Sequence, residues 1–188
     1  MKRFQKKDLF TIPNMICYLR LLLIPVFSAV YIHAIKTDSS GGYLWAAGIV
    51  LFSSFTDLFD GMIARKFNQV TELGKVLDPV ADKLTHGALA LCLAFRYPLM
   101  WALLALMAVK EGYMAIMGLH FLKKDKMLDG AMWFGKVCTA TLFAGLFSLF
   151  LFYKMKPVTA NILIVGMMAV MLITLILYIP EFKKMKQN

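Results

Sequence analysis

The sequence predicts an all-α integral membrane protein, a bundle of six transmembrane helices preceded by an N-terminal amphipathic interfacial segment. Three observations predict it. Apolar residues make up 60% of the 188 and charged residues only 17%, against about 45–50% and about 25% in ordinary soluble domains. The apolar residues gather in six long Leu-, Met- and Ala-rich runs without strand-like alternation, each near the ~20 residues a helix needs to cross the hydrocarbon core. Lysine and arginine gather in alternate connectors, as the positive-inside rule requires. The net charge of +10 would suit nucleic acid in a polar chain. Here the cations flank apolar runs, where anionic headgroups account for them, and no nucleic-acid partner is expected.

Residues 1–14 form the entry segment. Lys2, Arg3, Lys6 and Lys7 are interleaved with Phe4, Leu9, Phe10 and Ile12 ahead of Pro13, which suits an amphipathic helix lying on the cytoplasmic leaflet. A basic tail that only sets topology is the alternative. No small-residue cleavage site follows, so a removed signal peptide is not expected. The membrane domain covers residues 15–180, with spans at Met15–Ile35, Leu44–Ala64, Asp78–Phe95, Leu99–Leu122, Ala131–Phe152 and Val158–Ile179. Helices are expected because a lipid-exposed backbone must satisfy its own hydrogen bonds. Short connectors divide them, among them Lys36–Gly42 with its Ser-Ser-Gly-Gly, Arg96–Pro98 and Lys154–Pro157. Residues 181–188 form a basic tail. With a cytoplasmic N-terminus, that side receives 13 Lys and Arg and the other side 4, so both termini are expected in the cytoplasm. Cys17, Cys92 and Cys138 each sit alone in apolar sequence and read as packing residues, without metal-ligand or disulfide spacing.

Charge inside a membrane span is costly and usually functional. Five of the eleven acidic residues fall within 57–82: Asp57, Asp60, Glu72, Asp78 and Asp82. Asp57 and Asp60, three apart, share a face at the end of the second helix. Asp78 and Asp82, four apart, share one at the start of the third. The short link around Asn68–Gly74 makes these helices antiparallel neighbours, so four carboxylates can converge. Left alone they would repel or take up protons. A pair of oxygen-preferring cations, Mg²⁺ or Mn²⁺, would relieve this, and two such ions can clamp a phosphoryl centre. The cluster holds no His or Cys, which argues against zinc. Gly61, Ala64 and Gly74 leave room for a ligand near the backbone, and Arg65 offers forked donors to a phosphate. The structural alternative is a set of ion pairs among Asp57, Asp60, Arg65, Lys75, Asp78, Asp82 and Lys83, an expensive way to close a loop at a membrane.

The run Asp57-x2-Asp60-Gly61-x2-Ala64-Arg65-x8-Gly74-x3-Asp78-x3-Asp82 resembles the signature of the CDP-alcohol phosphotransferase (CDP-alcohol phosphatidyltransferase) family at all eight fixed positions and every gap. Ile12-Pro13-Asn14 followed by Arg20, and Gly135-Lys136 with Thr139, resemble its first- and fifth-span motifs. The resemblance implies a six-helix fold, a homodimer, and a polar cavity open to the cytoplasmic leaflet of a bacterial plasma membrane. It implies two metal ions held by Asp57, Asp60, Asp78 and Asp82. The CDP moiety would lie against Asp57, Gly61, Ala64, Arg65 and Gly74, with Asp82 as general base. The substrates implied are CDP-diacylglycerol and an alcohol.

The pattern is most similar to that of phosphatidylglycerophosphate synthases, whose acceptor is glycerol 3-phosphate. A phosphorylated acceptor needs cations, and Lys110 and Lys136 are the candidates, with Lys83 and Arg20 as further intramembrane cations and Thr139 as a further acceptor-binding residue. Snorkelling at span ends is the alternative reading of the lysines. The sequence departs from those synthases at Lys110-Glu111, where they carry Arg-Glu, at Gly118, where they carry a second Arg, and at Cys17, where Thr is common. Cardiolipin synthases of the same family, which use phosphatidylglycerol, are therefore the alternative, then inositol-type acceptors. Outside the enzyme class, an ion pathway or a non-catalytic membrane scaffold would not need the fixed Gly, Ala and Arg spacing. Gly112, Ala115 and Gly118 could form a close helix contact, at a dimer surface or within the subunit.

Overall fold

The computed structural model describes residues 11–66, 73–122 and 132–187. Among these it is all-helical: α1 (Ile12–Thr37), α2 (Ser40–Lys66), α3 (Gly74–Ala94), α4 (Met100–Leu122), α5 (Trp133–Leu151) and α6 (Pro157–Gln187). Four stretches are long and apolar enough to cross a membrane: Pro13–Thr37, Met100–Gly118, Trp133–Leu151 and Pro157–Lys183. At about 1.5 Å per residue, even the 19-residue stretches reach roughly the ~30 Å of the hydrocarbon core. Large apolar side chains such as Leu22, Trp45, Ile116, Trp133, Val158 and Ile162 point outward. Water would penalise such a surface, and lipid would not. Helices α2 and α3 fall outside this group of four. They are also the helices that carry the aspartates.

The chain divides into two compact units, Met1–Cys92 and Leu93–Asn188. In the first, α1 and α2 pack as an antiparallel hairpin. Its turn has a clear local cause. Asp38 adopts the left-handed conformation (φ 46°, ψ 38°) that ends α1, and its backbone N–H donates to the Ala34 carbonyl. Ser39 then caps α2: its Oγ accepts from the Gly42 N–H at 3.3 Å. Small residues let the helices close. A Cβ on Gly42 would sit 2.7 Å from the Ala34 Cβ, so glycine is what this crossing admits. Cys17, Phe27, Tyr31 and Ala34 of α1 and Tyr43, Ala46, Ala47 and Val50 of α2 are buried. Tyr31 and Tyr43 meet edge to face at 5.4 Å.

In the second unit, α6 packs against both α4 and α5. An aromatic cluster joins them: Phe121, Phe134, Tyr178 and Phe182, flanked by Tyr113, Met114, Met117 and Met132. Phe134 and Tyr178 meet edge to face at 4.7 Å, and Phe121 stacks on Phe182 at 5.8 Å. The three cysteines are buried, in keeping with their reading as packing residues.

Helix ends differ from the spans read in the sequence. Pro13 lies in the first turn of α1, where its missing N–H costs nothing, so residues 12–14 belong to α1. The rest of the expected interfacial segment, residues 1–10, lies outside the described residues. Pro79 lies within α3, which starts at Gly74, so Asp78 stands in its second turn. Pro180 lies within α6, and most of the expected tail 181–188 continues that helix to Gln187. Burial of Phe182 in the aromatic cluster explains why α6 carries on past Pro180.

Candidate functional site

The signature residues fall on two helices of the first unit. Asp57, Asp60, Gly61, Ala64 and Arg65 are on the last three turns of α2. Positions 57, 60, 61 and 64 share one side of that helix by register. The side chains of residues 57–66 lie outside the described residues, and so does the link 67–72. On α3, Gly74 is the first residue and is buried. Asp78 and Asp82 follow one turn apart, both half-buried.

Asp82 has a partner that the spacing of the acidic residues did not reveal. Arg20 of α1, 2% exposed, donates from Nη1 to Asp82 Oδ1 at 2.5 Å. A guanidinium buried among apolar side chains is tolerable only with such a counter-charge. The sequence did carry a signal, since Arg20 is the only Lys or Arg in α1 before Lys36. A second polar group was overlooked. Ser53 stands one turn before Asp57 on α2, 1% exposed, and its hydroxyl finds no hydrogen-bond partner among the described residues. Its signal was a polar residue in an apolar run four positions ahead of an aspartate.

The donor chemistry suits a hard cation. The described signature side chains are two half-buried carboxylates one turn apart on α3, which are oxygen ligands. Among the described residues, no three His, Cys, Asp or Glu side chains form a metal-holding group by themselves. Asp57 and Asp60 lie outside that test.

The expected acceptor residues belong to the second unit, and the structure separates them by environment. Lys110 of α4 is buried, 7% exposed, and its Nζ donates to Glu111 Oε1 at 2.9 Å. Lys136 and Thr139 of α5 are exposed. The Thr139 hydroxyl donates to the Gly135 carbonyl one turn back at 3.1 Å. Gly135 has a packing reason of its own, because a Cβ there would run into the Tyr178 hydroxyl. On α4, a Cβ on Gly112 or Gly118 would meet nothing among the described residues.

Residues 10–179 match the family model for CDP-alcohol phosphatidyltransferases. Over 147 residues the chain is 32% identical to a CDP-diacylglycerol--glycerol-3-phosphate 3-phosphatidyltransferase of Pectobacterium atrosepticum, covering 74% of this chain and 76% of that protein. A protein of the same name from Rickettsia felis is 41% identical over 83 residues, 44% of this chain and 43% of its own length. A Schizosaccharomyces pombe cardiolipin synthase (CMP-forming) / mitochondrial hydrolase fusion protein is 41% identical over 91 residues, 48% of this chain and 14% of its own length. The match thus spans less than two thirds of the rickettsial and fission-yeast proteins.

Proposed function

The chain belongs to the CDP-alcohol phosphatidyltransferase family, and from that we propose that it transfers the phosphatidyl group of CDP-diacylglycerol to glycerol 3-phosphate, releasing CMP and forming phosphatidylglycerophosphate. The observation that carries this reading is the pair of carboxylates one turn apart on α3, Asp78 and Asp82, within the eight-position signature of an otherwise apolar chain.

Asp82 accepts the proton of the acceptor hydroxyl. The acceptor oxygen bonds to the phosphorus nearest the diacylglycerol, the bond from that phosphorus to the bridging oxygen breaks, and CMP leaves with its electron pair. Arg65 binds a phosphate of the CDP group, and Gly61, Ala64 and Gly74 keep the backbone clear for it. Asp57, Asp60, Asp78 and Asp82 would hold two divalent ions, Mg²⁺ or Mn²⁺, which when bound supply positive charge to the diphosphate and the departing CMP. Lys110, Lys136 and Thr139 receive the acceptor's phosphate. Of the two lysines, Lys110 is paired with Glu111 and exchanges that partner for the ligand.

In this reading all six helices span the bilayer of a bacterial plasma membrane. Both termini and the carboxylates face the cytoplasm, as the distribution of Lys and Arg supports. The chain works as a homodimer, which the open space beside Gly112 and Gly118 accommodates.

A second reading takes phosphatidylglycerol as acceptor and cardiolipin as product. Gly118 standing where a second cation would serve a phosphorylated acceptor favours it, together with the name of the fission-yeast relative. An acceptor panel separates the two. Purified chain is incubated with CDP-diacylglycerol, Mg²⁺ and one alcohol at a time, and CMP is measured. Release is expected with glycerol 3-phosphate and not with phosphatidylglycerol or inositol. Release with phosphatidylglycerol alone keeps the reaction class and replaces the acceptor.

A further inference from the structure

We propose that Arg20 is a positioning residue for Asp82: it grips one carboxylate oxygen and thereby aims the other at the acceptor hydroxyl. The inference rests on the reading of Asp82 as proton acceptor.

Arg20 has no reason in packing alone to be an arginine. It lies on the buried side of α1 in line with Cys17, Phe27 and Tyr31, all fully buried. Leu or Met would fill that position without taking a charge out of water, which costs several kcal/mol per ion. A compensating charge comes from Asp82, 62 residues away on α3. The contact is one-sided. Nη1 engages Oδ1, while the Asp82 side chain as a whole remains 43% exposed. The buried end of the pair is thus the arginine, and the accessible end is the carboxylate.

A carboxylate on a helix can swing about its two side-chain torsions, and each rotamer sends its oxygens elsewhere. Holding Oδ1 on a rigid, buried guanidinium removes that freedom and leaves Oδ2 with a fixed direction. Proton abstraction needs a heavy-atom approach of about 2.6–3.2 Å. Misaiming the base therefore lowers the rate of the chemical step, with little effect on how CDP-diacylglycerol is held. Losing a residue that orients a catalytic or metal-binding group costs about 10–100-fold.

The test uses the full chain in detergent or nanodiscs with Arg20→Gln and Arg20→Lys. For Arg20→Gln the expected result is a fall in kcat of about 10–100-fold, with KM for CDP-diacylglycerol within about twofold and a thermal unfolding midpoint close to that of the parent. Arg20→Lys keeps the charge in reach of Oδ1 and is expected to recover at least part of kcat. An unchanged kcat in Arg20→Gln would overturn the proposal. So would a loss of activity in both variants that tracks a collapsed unfolding midpoint, since that marks a mere strut between α1 and α3. Asp82→Asn in the same preparation tells the two levels apart. If it too retains the parent rate, the reading of Asp82 fails. If it is inactive while Arg20→Gln is not, only the role of Arg20 fails.

Discussion

Asp82→Asn is expected to lower kcat by about 10³-fold, the middle of the range attributed to a positioned general base. The amide keeps the shape of the carboxylate but cannot take the acceptor's proton. It also withdraws the counter-charge of Arg20, which is 2% exposed and bonded to Asp82 at 2.5 Å. A fall in activity could therefore reflect a strained α1–α3 contact rather than missing chemistry. Asp82→Glu distinguishes the two. It preserves the charge for Arg20 while displacing the oxygens by one methylene, and a loss of about 10²-fold with an unchanged unfolding midpoint is the expected result. Initial rates of CMP release at saturating substrate, paired with thermal unfolding in the same detergent, provide both readouts. A fully active Asp82→Asn would remove the base from the mechanism.

The second large effect is expected at Lys110. Lys110→Met is expected to raise KM for glycerol 3-phosphate by about 10–100-fold, the worth of one charge-assisted hydrogen bond. It is also expected to destabilise the chain by about 2 kcal/mol. Breaking a buried pair by removing one partner costs more than that, but Glu111 is one-third exposed and partly rehydrated. The two effects come apart in Lys110→Met/Glu111→Gln, which restores stability because no charge is left stranded and leaves KM high. Lys136→Met completes the set. Lys136 is exposed, so its loss is expected to raise the acceptor KM without moving the unfolding midpoint. An acceptor KM unaffected by Lys110→Met would place the phosphate elsewhere.

Much of the fold was legible because the bilayer simplifies the code. Apolar runs near 20 residues marked the six described helices, of which four are long and apolar enough to cross a membrane. The errors were local and shared one cause. The first span was begun at Met15, the third at Asp78 and the sixth ended at Ile179, whereas the helices run Ile12–Thr37, Gly74–Ala94 and Pro157–Gln187 and take in Pro13, Pro79 and Pro180. Proline breaks a helix only when nothing else holds it. Pro13 occupies a first turn with no hydrogen bond to lose, and α6 continues beyond Pro180 to bury Phe182 against Phe121 and Tyr178. Such packing joins residues about sixty positions apart, which no local pattern displays.

The candidate site shows the same division. Spacings of three and four placed Asp57 with Asp60 and Asp78 with Asp82 on α2 and α3, because helical register is a local property. Arg20 was noticed as a cation inside an apolar run, but its pairing with Asp82 depends on how α1 meets α3. Gly135 shows the converse. It was read as part of a fifth-span motif, and the structure gives it Tyr178 as a neighbour. Lys110 and Lys136 looked alike in the sequence. One proved buried and paired, the other exposed.

The central claim is most directly tested by following isotopically labelled glycerol 3-phosphate in the presence of CDP-diacylglycerol, Mg²⁺ and the purified chain. The account predicts that label enters the lipid phase as phosphatidylglycerophosphate, in equal amount to the CMP released. Transfer should stop on chelation of the metal and return when Mg²⁺ is restored. Label that stays in water while the folded chain releases no CMP with glycerol 3-phosphate, phosphatidylglycerol or inositol would contradict it.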